Sequence, residues 1–290
     1  ALMLFARIET QLGPRERSRL PVFAAFVNDA WNEERGGFRN FMDYARRWLE
    51  DEGSEDSNGR SLWALGVTAG VSQITGVRDW AEALFDRSLR CAEGFASPRA
   101  VAFAMLGSDA ILEANPDHRR ARQLLERGGG LLVQLLADSR GKHWPWFEPV
   151  LAYDNCRLPE ALLRAGMRLG RADFVAAGLE TLDWMMAIQQ SECGYFRPVG
   201  SESFGNIHQP PMPFDQQPVE AWAAVDACAA AYQASSDRAW IARARTAYDW
   251  FLGLNDRSVA VGDVLGGSCC DGITPLGLNA NQGAESVLAF

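Results

Sequence analysis

Residues 219–231 read VEAWAAVDACAAA, and small or apolar side chains occupy nearly every position. A helix with so little polar surface has to be buried on most of its sides. Residues 161–167, ALLRAGM, show a related composition. By contrast, residues 171–190 and 237–254 carry a single apolar stripe at helical spacing, which is typical of a helix that packs on one side only. The sequence therefore predicts two alternating kinds of helix, one buried and one amphipathic.

The connections between these helices alternate as well. Turns from a buried helix into an amphipathic one are short and well marked, as at Asn115-Pro116 and Gly170-Arg171. The return connections are long and rich in glycine, proline and aromatic residues. Loops of that length inside a compact domain are usually functional. They lie near residues 33–57, 140–155, 191–216 and 256–280.

A weak polar repeat stands where each long loop meets a buried helix. Asp56-Ser-Asn58-Gly-Arg60 aligns with Tyr153-Asp-Asn155-Cys-Arg157, and Arg99, Gln217 and Gln282 occupy the column of the two arginines. The column recurs roughly every 40 to 65 residues, a period typical of repeated helical units that bury their faces on one another. We predict an all-α fold, a single (α/α)6 toroid over residues 1–290. About eleven helices leave one unaccounted for, and the alternative is an open solenoid. Long loops confined to one face favour the closed ring.

The bulk composition excludes several classes of protein. Of the 290 residues, 48% are hydrophobic and 22% charged, and the net charge of -9 argues against a nucleic-acid surface. No apolar run is long enough for a membrane span and no signal peptide is recognisable, which favours a cytoplasmic protein. Residues 1–8 and 285–290 both read as the middle of a helix, so we expect a fragment of a longer polypeptide.

Cysteine and histidine are too dispersed to indicate a metal centre. Six cysteines show no CxxC spacing, and three histidines include no pair at ligand spacing. We expect reduced cysteines, no metal and no cofactor. The adjacent Cys269 and Cys270 are the alternative, as a redox or metal site.

The predicted arrangement collects carboxylates, amides, arginines and aromatic rings at one end of the ring. Such a mixture suits a sugar, whose hydroxyls take polar contacts and whose C–H face lies on an aromatic ring. We predict Asp154 and Asp215 as an acid–base pair, with Glu148 as the substitute. The predicted substrate-binding residues are Asp56, Asn58, Arg60, Trp144, Trp146, Tyr153, Asn155, Arg157, Phe214, Gln216, Gln217, Asp271, Asn281, Gln282 and Glu285.

Structural roles compete with these functional ones. Asp56, Asn155 and Asp215 stand where helix N-caps are common. Arg157 is followed three residues later by Glu160, and such pairs share a helix face and suit a structural network. Trp144 and Trp146 flank a proline, and alternate residues of an extended segment point the same way, so they are predicted to form one ligand platform.

Four segments also resemble a known family. They are EDSNGRSLWALG (55–66), WPWFEPVLAYDNCRLPEALLRAG (144–166), FDQQPVEAW (214–222) and CCDGITPLGLNANQGAESVLAF (269–290). They resemble a bacterial family of toroid domains in the six-hairpin glycosidase superfamily, often encoded within or beside glycosyltransferases. The resemblance implies a carbohydrate ligand, a glycosyltransferase domain in the same or a neighbouring chain, and a further Asp-Asp-Asn-Ala-Arg-type element upstream of Ala1.

Relatives of this fold catalyse different reactions, and the sequence discriminates among them. The dispersed histidines disfavour a sugar epimerase. The sequence also lacks the DxDD motif of a terpenoid cyclase and the zinc ligands of a lanthionine cyclase. We therefore expect a glycoside hydrolase-like domain acting on an oligosaccharide. The alternative is a non-catalytic glycan-binding or scaffold domain attached to a glycosyltransferase. Carboxylates that are all paired with arginine would favour this alternative.

Overall fold

The computed structural model describes residues 1–17 and 19–290. The chain divides into two compact units, Ala1–Gly130 with Arg168–Gly170, and Leu131–Met167 with Arg171–Phe290. Helices are the main regular secondary structure of both units, as the sequence predicts. The single domain over residues 1–290 stays a prediction.

The first unit contains six complete α-helices and one hairpin of short strands among the described residues. The helices are α1 (Leu2–Arg7), α2 (Pro14–Arg17), α3 (Leu20–Ala30), α4 (Glu55–Val71), α5 (Thr75–Ser88) and α6 (Pro98–Ala114). Two 3-10 turns, Glu9–Gln11 and Leu89–Gly94, flank them, and strands β1 (Trp31–Asn32) and β2 (Gly37–Phe38) pair antiparallel. Helix α7 (Arg119–Ser139) begins in this unit and continues into the second.

Helices α4 and α6 form the core of the first unit and pack at unusually short range. A Cβ built on Gly66 would lie 2.1 Å from the backbone oxygen of Gly107, and one built on Gly107 would lie 2.5 Å from that of Leu62. Only glycine lets two helix backbones approach this closely. Each helix begins at a serine N-cap, Ser54 for α4 and Ser97 for α6, whose side chain accepts a backbone hydrogen bond.

The second unit holds the remaining elements. Its helices are α8 (Arg157–Leu169), which ends in the first unit, α9 (Ala172–Ile188), α10 (Pro218–Ser235), α11 (Ala239–Asp249) and α12 (Ala284–Ala289). Two antiparallel strand pairs are described in this unit: β3 (Gly262–Asp263) with β4 (Ser268–Cys269), and β5 (Gly272–Thr274) with β6 (Gly277–Asn279).

Helix α10 is the buried helix that residues 219–231 predict. It packs against α9, α11 and α12, and most of its alanines are fully buried. The long loops of this unit are tied to one another by backbone hydrogen bonds, from Leu151 N to Gly205 O at 3.1 Å and from Gln216 N to Ile273 O at 2.9 Å. The loops at residues 140–156, 189–217 and 250–283 therefore converge around the beginning of α10.

None of the helices in the described residues is both long and apolar enough to cross a membrane.

Candidate functional site

Asp154 lies in the turn before α8 and is fully buried. Its backbone N–H donates a hydrogen bond to Glu220 Oε1, and its Oδ1 lies 3.4 Å from Arg157 Nε. The sequence paired Asp154 with Asp215 as acid and base. A carboxylate that is closed to solvent and held beside a guanidinium is poorly placed to exchange a proton with a substrate. The structure therefore argues against Asp154 as half of that pair.

Arg157, predicted to bind substrate, lies instead at the centre of a buried ionic network. Its Nη1 donates to Glu160 Oε2 at 2.6 Å and to Asp226 Oδ2 at 2.8 Å, and its guanidinium lies 4.2 Å from the centroid of the Trp222 ring. Arg164 Nε binds the other oxygen of Glu160 at 2.8 Å. Burial would raise the pKa of Glu160, but the two guanidiniums hold that pKa below its ordinary value. Of the two roles that the sequence allowed for Arg157, the contacts favour the structural network over a ligand contact.

Asn155 belongs to the same network and is also closed to a ligand. The residue is buried, its Nδ2 donates to Ala152 O at 2.7 Å and to Glu220 Oε2 at 3.2 Å, and its Oδ1 accepts from Ala152 N at 3.1 Å. Tyr153, one position earlier, is 36% exposed and remains open to a ligand.

The first copy of the repeat occupies the beginning of α4 in the first unit. Asn58 is buried there, and both ends of its amide are hydrogen-bonded: Oδ1 accepts the Phe38 N–H at 2.7 Å, and Nδ2 donates to a backbone carbonyl. It fastens the β1–β2 hairpin to the helix, which corrects its prediction as a ligand contact. Arg60 Nε donates to Asp56 Oδ2 at 2.8 Å, and the Arg60 guanidinium lies 4.3 Å from the Phe103 ring centroid. The Arg60 and Asp56 side chains remain 30% and 29% exposed.

Trp144 and Trp146 do share a face, but this face is turned inward. Their ring centroids lie 5.0 and 5.6 Å from that of Trp184 on α9, and Trp146 is fully buried. Trp144 Nε1 donates to the backbone oxygen of Glu148 at 2.7 Å. The predicted ligand platform is therefore an internal aromatic cluster. Glu148 keeps a half-buried side chain at the edge of this loop.

Gln216 is fully buried, and three hydrogen-bonding residues hold its side chain. Nε2 donates to Pro213 O at 2.8 Å and to Asp256 Oδ2 at 2.7 Å, and Oε1 accepts from Trp250 Nε1 at 2.8 Å. Its backbone exchanges two 2.9 Å hydrogen bonds with Ile273. Gln216 was predicted to bind substrate. The contacts instead make it the residue that fixes the loop before α10.

Two glycines allow other backbone segments to close tightly on this loop. A Cβ on Gly200 would lie 2.2 Å from Phe214 O, and one on Gly272, whose φ is 144°, would lie 2.0 Å from Gln216 O. No larger residue fits either position without displacing a backbone atom. Asp215 therefore lies in a segment whose backbone is closely packed on both sides.

Asp215 is not paired with any cation among the described residues, whereas Asp56 and Asp154 lie beside arginines. Among the described residues its Oδ1 is shielded from solvent and has no hydrogen-bond partner, while the side chain as a whole is half-buried. Burial, followed by the negative charges of Asp271 and Glu202, raises the pKa of Asp215. The N-cap of α10 is Gln217, not Asp215. The capping role weighed from the sequence does not account for Asp215.

Asp271, in contrast to Asp215, is surrounded by hydrogen-bond donors. Its Oδ1 accepts hydrogen bonds from Ser286 Oγ and Gly283 N, both at 2.6 Å, and its Oδ2 accepts one from Asn281 Nδ2. The bonds from Ser286 and Asn281, then that from Gly283, hold the pKa of Asp271 below its ordinary value. Asp271 and Asn281 thus bind each other and support the beginning of α12.

The other predicted ligand contacts of the second unit remain accessible. Phe214 and Gln217 are half-buried, with the Arg257 guanidinium 4.8 Å from the Phe214 ring centroid, whereas Gln282 and Glu285 are exposed. Whether these residues bind a ligand stays a prediction.

Two further acidic residues of this region, Glu202 and Asp256, were not predicted from the sequence. Glu202 is exposed in the loop before Asp215, and its backbone N–H donates to Phe214 O at 3.1 Å. Asp256 accepts two hydrogen bonds from Arg197, at 2.8 and 2.7 Å, besides the one from Gln216. Neither residue belongs to the polar repeat, so sequence spacing offered no signal for them.

Comparison with known proteins identifies the fold. No family model matches this sequence, and no curated protein is significantly similar to it. Solved structures do match. One is a sugar epimerase from a ruminal bacterium, with 14% sequence identity and a TM-score of 0.68; the match covers 97% of this chain and 80% of the epimerase chain. A D-mannose isomerase follows at 12% identity and a TM-score of 0.64, covering 99% of this chain and 84% of its own.

A hydrolase is among the similar structures as well. It is described as an unsaturated glucuronyl hydrolase specific for heparin, and it matches at 10% identity with a TM-score of 0.60 over 82% of this chain and 67% of its own. All three have (α/α)6-toroid folds of the six-hairpin glycosidase superfamily. The fold class predicted from the sequence is thereby confirmed. At these identities the likeness concerns the fold alone.

Proposed function

We propose that this chain is a carbohydrate-active domain with glycoside hydrolase-like chemistry, in which Asp215 donates a proton to the glycosidic oxygen. The observation that carries the proposal is the state of Asp215: a carboxyl beside the beginning of a buried helix, unpaired with any described cation, whose pKa is raised by burial and by two neighbouring carboxylates. A raised pKa favours the protonated form of a carboxyl, which is the form that a general acid requires. The sugar-processing proteins among the similar folds support a carbohydrate substrate by analogy, and one of them is a hydrolase.

The second carboxylate in this proposal is Glu202. Its negative charge acts on Asp215, and it is exposed, whereas Asp271 has its oxygens occupied by three donors. In the reaction, the glycosidic C–O bond breaks as Asp215 transfers its proton to the leaving oxygen. A water molecule adds to the anomeric carbon and gives its proton to Glu202, so that one water is consumed for each bond cleaved. Glu148 stays the substitute for this role.

Sugar isomerisation is the less favoured chemistry because, in the described part of the chain, the three histidines do not form a cluster that could serve it. His118, in the first unit, accepts the Ala121 N–H at 3.2 Å on Nδ1, and its Nε2 lies 3.2 Å from Asp86. His143 and His208 are exposed loop residues of the second unit. The glycosyltransferase association implied by the resemblance stays a prediction.

The experiment is turnover of a panel of oligosaccharides by the purified chain and by Asp215→Asn, with release of reducing ends as the readout. We expect kcat to fall by about 100-fold or more, the usual contribution of a general acid. Asp183→Asn, on the surface of α9 with a 63% exposed side chain, is the control that should keep full activity.

Glu202→Gln adds a signature that a structural role would not give. The substitution removes the proposed base, so kcat should fall. Removing the charge should also lower the pKa of Asp215 and move the alkaline limb of the remaining pH–rate profile toward lower pH. Undiminished turnover by Asp215→Asn would overturn the catalytic assignment. Binding of oligosaccharides without any cleavage by the wild-type chain would favour the non-catalytic glycan-binding alternative.

A further inference from the structure

A cavity of about 460 Å³ opens in the first unit, lined by residues that have no role in the proposed catalysis. Its lining consists of residues 31–35, which are strand β1 and the turn that follows, together with Arg39 and Asp51. The volume falls within the range of small-molecule sites in proteins, about 300 to 1,000 Å³.

One wall of this cavity is rigid because Asn32 uses its whole side-chain amide to shape the backbone. Nδ2 donates to Asp51 O at 2.9 Å, and Oδ1 accepts from the N–H groups of Glu34 and Arg35 at 3.1 and 3.4 Å. The residue is buried. The turn is thereby fixed before any ligand arrives, which lowers the entropic cost of binding.

A second wall, formed by the Trp31 indole, is fixed by hydrogen bonding to Glu33. Its Oε2 accepts a hydrogen bond from Trp31 Nε1 and another from Arg87 Nη2, both at 2.6 Å, and its Oε1 lies 3.5 Å from Arg90 Nη2. The Arg90 guanidinium lies 5.6 Å from the Trp31 ring centroid. The charge of Glu33 is therefore neutralised locally, and the indole of Trp31 is fixed in one orientation.

Three side chains at the opening keep unused hydrogen-bonding capacity. Arg35 Nη2 and Asp51 Oδ2 are 3.7 Å apart, longer than a hydrogen bond, and their side chains are 60% and 74% exposed. The carboxylate of Glu34 is exposed and makes no hydrogen bond or ion pair within residues 1–17 and 19–290. A planar guanidinium beside two carboxylates offers donors and acceptors at close quarters, which is the pattern that adjacent hydroxyl groups satisfy.

We propose that this cavity of the first unit binds a neutral saccharide. Arg35 and Arg39 balance Glu34 and Asp51 in charge once Glu33 is neutralised, so the cavity gives no net advantage to an anionic sugar. The site is independent of the chemistry proposed at Asp215, and either proposal can fail without the other.

The test follows the indole N–H resonance of Trp31 in ¹⁵N-labelled protein, identified by its loss in Trp31→Phe. Cellobiose and maltose are titrated separately, and methyl β-D-glucuronide serves as the anionic probe. Because the Trp31 N–H lies in the cavity wall, we expect at least one disaccharide to shift it in a saturable way, with weaker binding of the glucuronide.

The chain offers a matched control for the opening of the cavity. Arg78 and Asp79 on α5 form another exposed pair at 3.7 Å, with side chains 45% and 65% exposed. Arg35→Met with Asp51→Asn should weaken disaccharide binding at least about fivefold, as expected for lost polar contacts. Arg78→Met with Asp79→Asn should leave it unchanged.

Three results would overturn the proposal. They are the absence of any Trp31 shift with both disaccharides, equal binding by the Arg35→Met, Asp51→Asn variant and wild type, and tighter binding of the glucuronide than of either disaccharide. Thermal unfolding of both double variants verifies that they are folded, which their exposure leads us to expect.

Discussion

Arg157 has acidic partners on three sides in a part of the second unit that solvent does not reach. Removing the guanidinium would take the nearest cation from the buried carboxylate of Asp154 and leave Glu160 with Arg164 alone as an ion-pair partner. We expect Arg157→Met to lower the free energy of unfolding by about 3–5 kcal/mol, the usual cost of breaking a buried ion pair from one side. Urea denaturation measures this.

An exposed pair in the same unit supplies the comparison. Arg140 binds Glu180 at 2.6 Å, but both side chains are more than 40% exposed. Arg140→Met should cost no more than about 1 kcal/mol, because water replaces the lost partner. Equal losses from the two substitutions would show that the Arg157 network is not the stabilising feature described above.

Asp215 and Asp271 should affect stability with opposite signs. The pKa of Asp215 is raised in the folded state, so the stability that its protonated form contributes is present in acid and is lost as the pH rises through that folded pKa. Asp215→Asn should therefore melt at a higher temperature than wild type at neutral pH. The difference should vanish below the unfolded value of about 3.9.

For Asp271 the folded pKa is lowered, so its stabilisation is present above the unfolded value and is lost as the pH falls through the folded one. Asp271→Asn should melt at a lower temperature than wild type at neutral pH, and this deficit should shrink in acid. Melting temperatures measured between pH 3 and 8 compare the two variants. The same sign for both at neutral pH would contradict the electrostatics assigned to this loop.

At the scale of the secondary structure elements, the contact between α4 and α6 depends on glycine. We expect Gly66→Ala to destabilise the chain by about 1–3 kcal/mol, because its methyl group would meet the backbone of α6, which cannot move aside as a side chain can. In Gly130→Ala, on the exposed side of α7, the methyl group meets nothing within 4 Å. That variant should gain about 0.5–1 kcal/mol from helix propensity. A Gly66→Ala variant as stable as wild type would refute the close packing.

The helices were the part of the fold that the sequence predicted well. The buried stretch 219–231 lies inside α10, and the amphipathic stretch 171–190 contains all of α9. Periodicity identified them because burial on one side or on all sides leaves a regular pattern. The strand pairs were not predicted, since segments of two or three residues carry no period.

The candidate site could be predicted only in part, because tertiary contacts decide what a loop side chain meets. Trp146 reads as a ligand platform until the Trp184 indole is seen against it. Gln216 reads as a sugar contact until Trp250 and Asp256 are seen to hold its amide. Asp215 was identified because the polar repeat pointed to its loop, but its lack of a cationic partner is a property of the folded chain alone.

For the whole molecule, the fold class agrees with that of the sugar-processing enzymes it resembles in structure, with which it shares 10–14% of its residues. Within the described residues no cluster of three or more potential metal ligands occurs. The proposed chemistry relies on carboxylates, and above all on Asp215.

The measurement that tests this claim most directly is a titration of the Asp215 carboxyl by ¹³C NMR, with the resonance assigned by its loss in Asp215→Asn. We predict a pKa above the value of about 3.9 found for an unperturbed aspartate, and a decrease in that pKa in both Glu202→Gln and Asp271→Asn. A pKa at or below the unperturbed value in the wild-type protein would contradict the account, since the surroundings of Asp215 would then not favour the protonated form that a general acid requires.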